Sequence, residues 1–273
     1  MSGFEFFSFP PGPELAPFVE TIWGVRGAAH FSTEAVLPNG AVELMVNFGP
    51  VQAVVGHGDQ ELHATYRRSW LSGLHDRRLV HSAENGADHI AVRFRPGGAH
   101  AFLDLRMDEV ANQVLELDLL IGSEAAALRD RLGALPSDRA RAAELETWLL
   151  GRRRVHSSFP VVRRGVEMLR DGGAHRAAVA EVCERLGLSN KHLVEQFRRV
   201  VGLPPKVVGR IERFQGVISA CRGRAEVDWL DLAHRFGYAD QSHLIREFRR
   251  LGSVTPSHFL AHRTPDESHV VVG

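Results

Sequence analysis

A segment that occurs twice constrains this chain more than anything else in it. The stretch Val179–Arg199 is echoed by Trp229–Arg250. His192-Leu193 matches His243-Leu244, Phe197-Arg198-Arg199 matches Phe248-Arg249-Arg250, and Pro205 matches Pro256, each pair 51 residues apart. Within each copy, apolar residues three or four apart predict a short helix, and Gly187 or Gly237 supplies the backbone freedom that ends it. Ser189 or Asp240 is then placed to cap a second helix. Helix, glycine turn and second helix predict a helix-turn-helix. The two units lie over about 177–200 and 228–251, with one long helix, about Pro204–Cys221, between them. Leu193 and Phe197, like Leu244 and Phe248, are four apart and mark the buried face of each second helix.

Charge follows the same division. The chain has 273 residues with 33 Lys+Arg and 33 Asp+Glu, yet 160–263 holds 18 basic and 11 acidic residues, including both lysines, Lys191 and Lys206. A basic block beside an acidic remainder suggests that the C-terminal part meets a polyanion. A hydrophobic content of 44% excludes a disordered chain, and the length suggests two domains, each with its own core. No apolar run approaches the roughly 20 residues of a membrane span. The most apolar stretch, Ala41–Gly56, is broken by Glu43, Asn47, Pro50 and Gln52. Met1–Pro13 has no basic region ahead of its phenylalanines, so no secretory leader is expected. Two cysteines, Cys183 and Cys221, exclude a disulfide-stapled scaffold. The expected setting is cytoplasmic, at the nucleoid, with no membrane partner.

Before the repeat, extended signals dominate to about Gly98. Glu34–Phe48 reads as two runs around a Pro38-Asn39-Gly40 turn, and Val51–Gly56, Ser69–Leu74 and His89–Phe94 are further short strands. Their spacing predicts a small antiparallel barrel or sandwich. From Ala99 the period becomes helical, over 99–105, 107–114, 123–132 and 137–150. The polar stretch 151–158 predicts a linker. A helix capped by Ser157 or Ser158, with Pro160 in its first turn, then runs to Arg170 and ends at Asp171-Gly172-Gly173. The fold class is therefore α+β in two domains. Residues 1–150 form a β-rich barrel or sandwich with trailing helices, and 159–263 an all-α domain of two helix-turn-helix units joined by a long helix.

The block Phe159–His262 resembles the DNA-binding domain of the AraC/XylS family of bacterial transcription regulators. The resemblance is carried by Gly187-Leu188-Ser189, Phe197-Arg198-Arg199, Pro205-Lys206, Arg213, and above all by Gly237–Leu244 followed by Phe248 and Thr255-Pro256. One position departs: the family usually has a glycine one place after Gly252, where this chain has Ser253. Leu37–Gly40 and Arg93–Gly98 are similar to the N-terminal half of one branch, whose sensor domains resemble cupin-like barrels. The resemblance implies a transcription regulator that binds double-stranded DNA through 159–263 and senses a small-molecule effector, or dimerises, through 1–150. RNA polymerase and a second copy of the chain are further candidate partners. Two alternatives stay open: an N-terminal half that is only a dimerisation or protein-interaction module, and a metal-dependent cupin-type enzyme with an attached DNA-binding domain.

Opposite the core residues, the second helices carry Asn190, Lys191, Val194 and Glu195 in one copy and Gln241, Ser242, Ile245 and Arg246 in the other. These are candidate base readers, because the N-terminal part of a helix in the major groove reaches base edges. Gln241 suits adenine, Arg246 or Lys191 guanine, and Val194 or Ile245 a thymine methyl group. Glu195 either reads a cytosine amino group or restrains affinity. Arg198, Arg199, Lys206, Arg249 and Arg250 are candidate phosphate contacts, which position the protein without reading sequence. Two readers in one chain suggest groove faces roughly 10 bp apart. Arg93, Arg95, Gly97 and Gly98 form a candidate anion-binding nest for an effector, although paired glycines more often make a structural corner. His57, Glu61 and His63 match no metal-ligand spacing, so neither a metal nor another cofactor is expected. No phosphate loop, nucleophile elbow or paired-acid signature occurs, so no enzyme is expected.

Overall fold

The computed structural model describes residues 5–27, 33–82, 86–154, 157–170, 177–264 and 269–272. The N-terminal strands are β1 (Glu5–Phe9), β2 (Val19–Gly27), β3 (Thr33–Val36), β4 (Val42–Asn47), β5 (Gln52–His57), β6 (Gln60–Tyr66), β7 (Ser69–Ser72), β8 (Leu79–Ser82), β9 (Ala87–Phe94) and β10 (Val114–Glu116). Helices α1 (Asp118–Ile121), α2 (Glu124–Gly133) and α3 (Asp138–Arg152) follow. Beyond them come α4 (Ser158–Arg170), α5 (Val179–Leu186), α6 (Asn190–Val201), α7 (Pro205–Ala220), α8 (Trp229–Arg235), α9 (Gln241–Gly252), α10 (Pro256–His262) and a last strand, β11 (His269–Val271). The strands build two antiparallel sheets, in the orders β1-β2-β9-β4-β7-β10 and β11-β3-β8-β5-β6. The sequence-based β-rich half and the helix-rich block are both present.

The first sheet is covered on both faces, so β4 is buried at every position rather than at alternate ones. Val42, Leu44 and Val46 join a core with α2 and α3, while Met45 turns to the opposite face with Trp23 and Trp70. Pro38-Asn39-Gly40 does not close a hairpin. β3 and β4 belong to different sheets, and the turn carries the chain from one to the other. It also holds Leu37 against the C-terminal helices, where Gln215 Nε2 donates to Pro38 O at 2.6 Å.

The helical expectation fails over 99–114. Ala99–Ala101 and Met107–Glu109 are single 3₁₀ turns, and β10 follows them. Asn112 has a left-handed φ of 59°, which breaks a continuing helix, and its Oδ1 accepts from Asp76 N at 2.9 Å. The β-branched Val114 then pairs with Ser72 of β7. The linker is shorter than 151–158, since α3 reaches Arg152 and α4 starts at Ser158. The expected helix end at Asp171-Gly172-Gly173 lies outside the described residues.

The two parts do not have separate cores. Leu44, Val92 and Leu128 share one buried cluster with Val162, Phe197 and Ile211, and Phe18 stacks on Phe159 with ring centroids 4.5 Å apart. The second helix-turn-helix has its own cluster around Phe214, Phe248 and Phe259, yet Leu37 and Val270 enter it from outside the helical block. No sequence signal marks β11. It pairs antiparallel with β3, three residues in register, and so ties the end of the chain to the N-terminal sheets.

Candidate DNA-reading face and interior cavity

Each second helix of the repeat is started by a side-chain cap that satisfies an otherwise orphaned amide. Ser189 Oγ accepts from His192 N at 3.2 Å, and Asp240 Oδ1 accepts from His243 N at 2.6 Å. The preceding turn glycines, Gly187 and Gly237, have left-handed φ values of 65° and 71°, as the motif requires. Leu193, Phe197, Leu244 and Phe248 are fully buried. With that stripe fixed inward, Asn190, Lys191, Glu195, Gln241, Ser242 and Arg246 are exposed, and Val194 and Ile245 half-buried. Arg198, Arg199, Lys206, Arg249 and Arg250 are exposed as well. His192 is exposed, whereas the half-buried His243 accepts from Ala239 N at 3.4 Å.

Glu195 has a partner that its own helix gave no hint of. Arg106, from the turn before β10, donates to Glu195 Oε1 at 2.8 Å and to Asp108 at 2.9 Å. The two carboxylates hold the Arg106 guanidinium above its ordinary pKa. The equivalent place in the second unit, 51 residues on, is Arg246. The Ser253 departure also has a geometric basis. Ser253 takes the left-handed cap of α9, with φ 49°, where Gly202 caps α6 with φ 106°. Ser253 Oγ donates to Asp59 at 2.6 Å, so the strained residue is held by the N-terminal part. Gly252 faces Leu37 so closely that a Cβ there would lie 2.9 Å from Leu37 Cδ2.

The Arg93–Gly98 segment is a corner. Arg95 N donates to Phe18 O at 2.8 Å and Gly98 N to Arg95 O at 2.7 Å, so these two amides are engaged within the protein. A Cβ on Gly98 would meet Phe18 O at 2.0 Å, and Gly97 sits against Val200 of α6. Arg93 points elsewhere and donates to Glu43 at 2.7 Å.

Glu43 borders a cavity of about 780 Å³ between the two sheets, within the usual range for small-molecule sites. One wall carries Trp23, Met45 and Trp70, the other Val36, Leu79 and His81. Arg263, Thr264, His269 and Val271, all beyond the second helix-turn-helix, complete the lining. Arg95, Gly97 and Gly98 are absent from it. Burial pushes the histidines around this interior toward the neutral form: His75 down to about 3, His89 down to about 4, and His81 also below its ordinary value. His75 Nδ1 lies 3.4 Å from His57 Nε2. Among the described residues, no group of three or more His, Cys, Asp or Glu could hold a metal ion, and no helix is long and apolar enough to cross a membrane.

Two family models match separate parts of the chain. A family model described as a helix-turn-helix domain matches residues 182–262, and one described as a domain of unknown function (DUF6597) matches residues 7–116. Among curated proteins there is no match. Similar solved structures include ToxT from Vibrio cholerae strain SCE256 with a bound unsaturated fatty acid, at 12% identity and TM-score 0.49 over 88% of this chain and 94% of that one. The AraC-like transcriptional activator CuxR aligns at 12% identity and TM-score 0.32 over 80% of each chain. The C-terminal domain of AraT, a response regulator from Geobacillus stearothermophilus, aligns at 20% identity and TM-score 0.34 over 36% of this chain and 81% of that one. The duplicated segment, the capped helices and the matched family model agree that residues 182–262 form a helix-turn-helix domain.

Proposed function

We propose that this chain is a sequence-specific transcription regulator that lays α6 and α9 into successive major-groove faces of one duplex and responds to a small molecule held between its sheets. The observation that carries the reading is the pair of capped helices, each with a buried Leu/Phe stripe and an exposed polar flank, on a basic block. A helix N-terminus adds partial positive charge where it approaches a phosphate. Gln241 and Arg246 present an amide and a guanidinium to base edges, and Arg250 and Lys206 present cations to phosphates. Glu195 is neutralised by Arg106, so the first helix reads mainly through Asn190, Lys191 and Val194. A cavity walled by residues from both ends of the chain gives a bound molecule unequal contacts in different domain arrangements, which is what modulation requires.

Selection of binding sites from random duplexes by the purified chain, followed by affinities on the selected site, tests the reading. Arg246→Ala should weaken that site by about 1–3 kcal/mol and relax one base position. Arg250→Ala should weaken all sequences alike and lower the salt slope by about one. Uniform loss in both variants would sink the division of labour, and failure to enrich any sequence would sink the reading itself.

A further inference from the structure

If the cavity holds a small molecule, as proposed above, its wall carries information about which kind. Among the described residues, the carboxylates and the arginine at that wall each have partners inside the protein. Glu43 is held by Arg93 at 2.7 Å, and Glu34 accepts from His269 Nδ1 at 2.9 Å. Arg263 donates to the carbonyl oxygens of Cys221 and Arg224, at 2.8 and 2.7 Å, on the side of the helical block. An incoming anion would meet two carboxylates and an arginine already engaged by two carbonyls. The remaining lining is dominated by Trp23, Trp70, Met45, Leu79 and Val36. Trp23 Nε1 and both ring nitrogens of His89 are buried without a hydrogen-bond partner, beside an aromatic cluster in which Trp23 and His89 meet edge-on at 5.4 Å. Burying a charge without a counter-charge costs far more than burying a neutral group, so this interior selects by charge as well as by shape.

The second feature is the origin of the wall. Val271 lies on β11, which is held to β3 by a three-residue ladder and by Val272 N donating to Thr33 O at 3.2 Å. Val270, between two cavity-lining neighbours, is fully buried in the core of the second helix-turn-helix. Successive residues of one short strand therefore face the cavity and the reading domain in turn, as the strand period dictates. We infer that the cavity is a composite site for an uncharged, flat, largely apolar molecule, gripped on one side by the C-terminal strand that also anchors the second reading unit.

A matched pair of dyes tests this on the full chain. N-phenyl-1-naphthylamine is neutral, and 8-anilinonaphthalene-1-sulfonate is nearly the same skeleton bearing a sulfonate. Titration by fluorescence, without DNA, should give saturable one-to-one binding of the neutral dye, at least about tenfold tighter than the anionic one. Val271→Asp, which places a carboxylate on the wall from β11, should weaken the neutral dye by a similar factor. Val272→Asp, on the adjoining exposed residue, should leave it within twofold. Circular dichroism checks that both variants fold. If the anionic dye binds as tightly as the neutral one, the ligand class is wrong although the cavity still binds small molecules. If Val271→Asp and Val272→Asp behave alike, the strand is not part of the wall. If neither dye binds, both this inference and the small-molecule half of the proposed function fall, while DNA reading, measured separately, is untouched.

Discussion

The two helix-turn-helix units share a sequence pattern but differ in what stands behind them. In the first, Phe197 is part of a core that continues through α4 and α7 into the sheets, and Gly97 and Gly202 let the N-terminal part approach α6 closely. In the second, Phe248 belongs to a smaller cluster of its own, held to the N-terminal part through Leu37, Ser253 and β11. The outward faces differ to match. Position 195 is an acid held by Arg106, and its counterpart, Arg246, is an exposed cation. A duplicated motif has thus become one unit built into the body of the molecule and one attached to it by a few replaceable contacts. On the proposed function, a molecule in the cavity would act more readily on the second.

Cutting into each core should separate the two units most clearly. Phe197→Ala and Phe248→Ala should each cost about 3–5 kcal/mol locally. Phe197→Ala should lower a single unfolding transition of the whole chain. Phe248→Ala should split off an earlier transition reported by Trp229, whose ring lies edge-on to Phe248 at 5.9 Å. Calorimetry with tryptophan fluorescence distinguishes the two, and identical profiles would erase the distinction.

Acid should separate the units too. His75 and His89 stay neutral in the folded chain, with pKa values of about 3 and about 4, but titrate near 6.5 when unfolded. Below that pH the unfolded chain takes up protons that the folded one refuses. Stability is therefore complete above about pH 6.5 and falls as pH drops toward 4, by up to about 1.4 kcal/mol per pH unit for each histidine. The sheets and the first unit should weaken together while the second cluster lags, and His89→Phe should flatten the dependence. Thermal scans at pH 7, 6 and 5 measure this.

Smaller effects are expected at the caps. Gly202→Ala strains a backbone at φ 106° and drives a Cβ to 2.9 Å from Met107 O, so it should cost about 1–3 kcal/mol. Ser253→Gly relieves a left-handed serine but gives up its bond to Asp59, a net change within about 1 kcal/mol, while the second unit docks less firmly. Denaturant melts compare the pair. Weakest of all, Arg106→Ala should reduce DNA affinity only a few-fold by leaving Glu195 uncompensated near phosphates, and Glu195→Gln in the same background should restore it.

What the sequence reveals divides along the range of the interactions. The helix-turn-helix units are legible because their determinants are local: Leu193 and Phe197 on one stripe, Gly187 at the turn, Ser189 at the cap. The β-rich half is legible as strands, since Met45, Val54 and Trp70 sit in short extended runs, but not as two sheets. Whether Pro38-Asn39-Gly40 closes a hairpin or crosses between sheets depends on partners far along the chain. The helical period over 99–114 misleads because its apolar residues fill a corner between elements rather than one face of a rod. Arg106 beside Glu195, and β11 beside β3, join residues 89 or more apart, and no spacing rule reaches that far. The cavity is invisible for the same reason, its wall being assembled from both ends of the chain.

The ladder between β3 and β11 has a consequence for how the chain is made. Glu34 and its partner His269 are separated by 235 residues, so the edge presented by 33–36 is made long before the strand that covers it. An uncovered strand edge is a template for pairing with a stranger. Closing so wide a loop comes late, because its entropic cost must be met before the contact rewards it. Nascent chains stalled or truncated ahead of His269 should therefore be the aggregation-prone species of this protein, however well their reading units have folded.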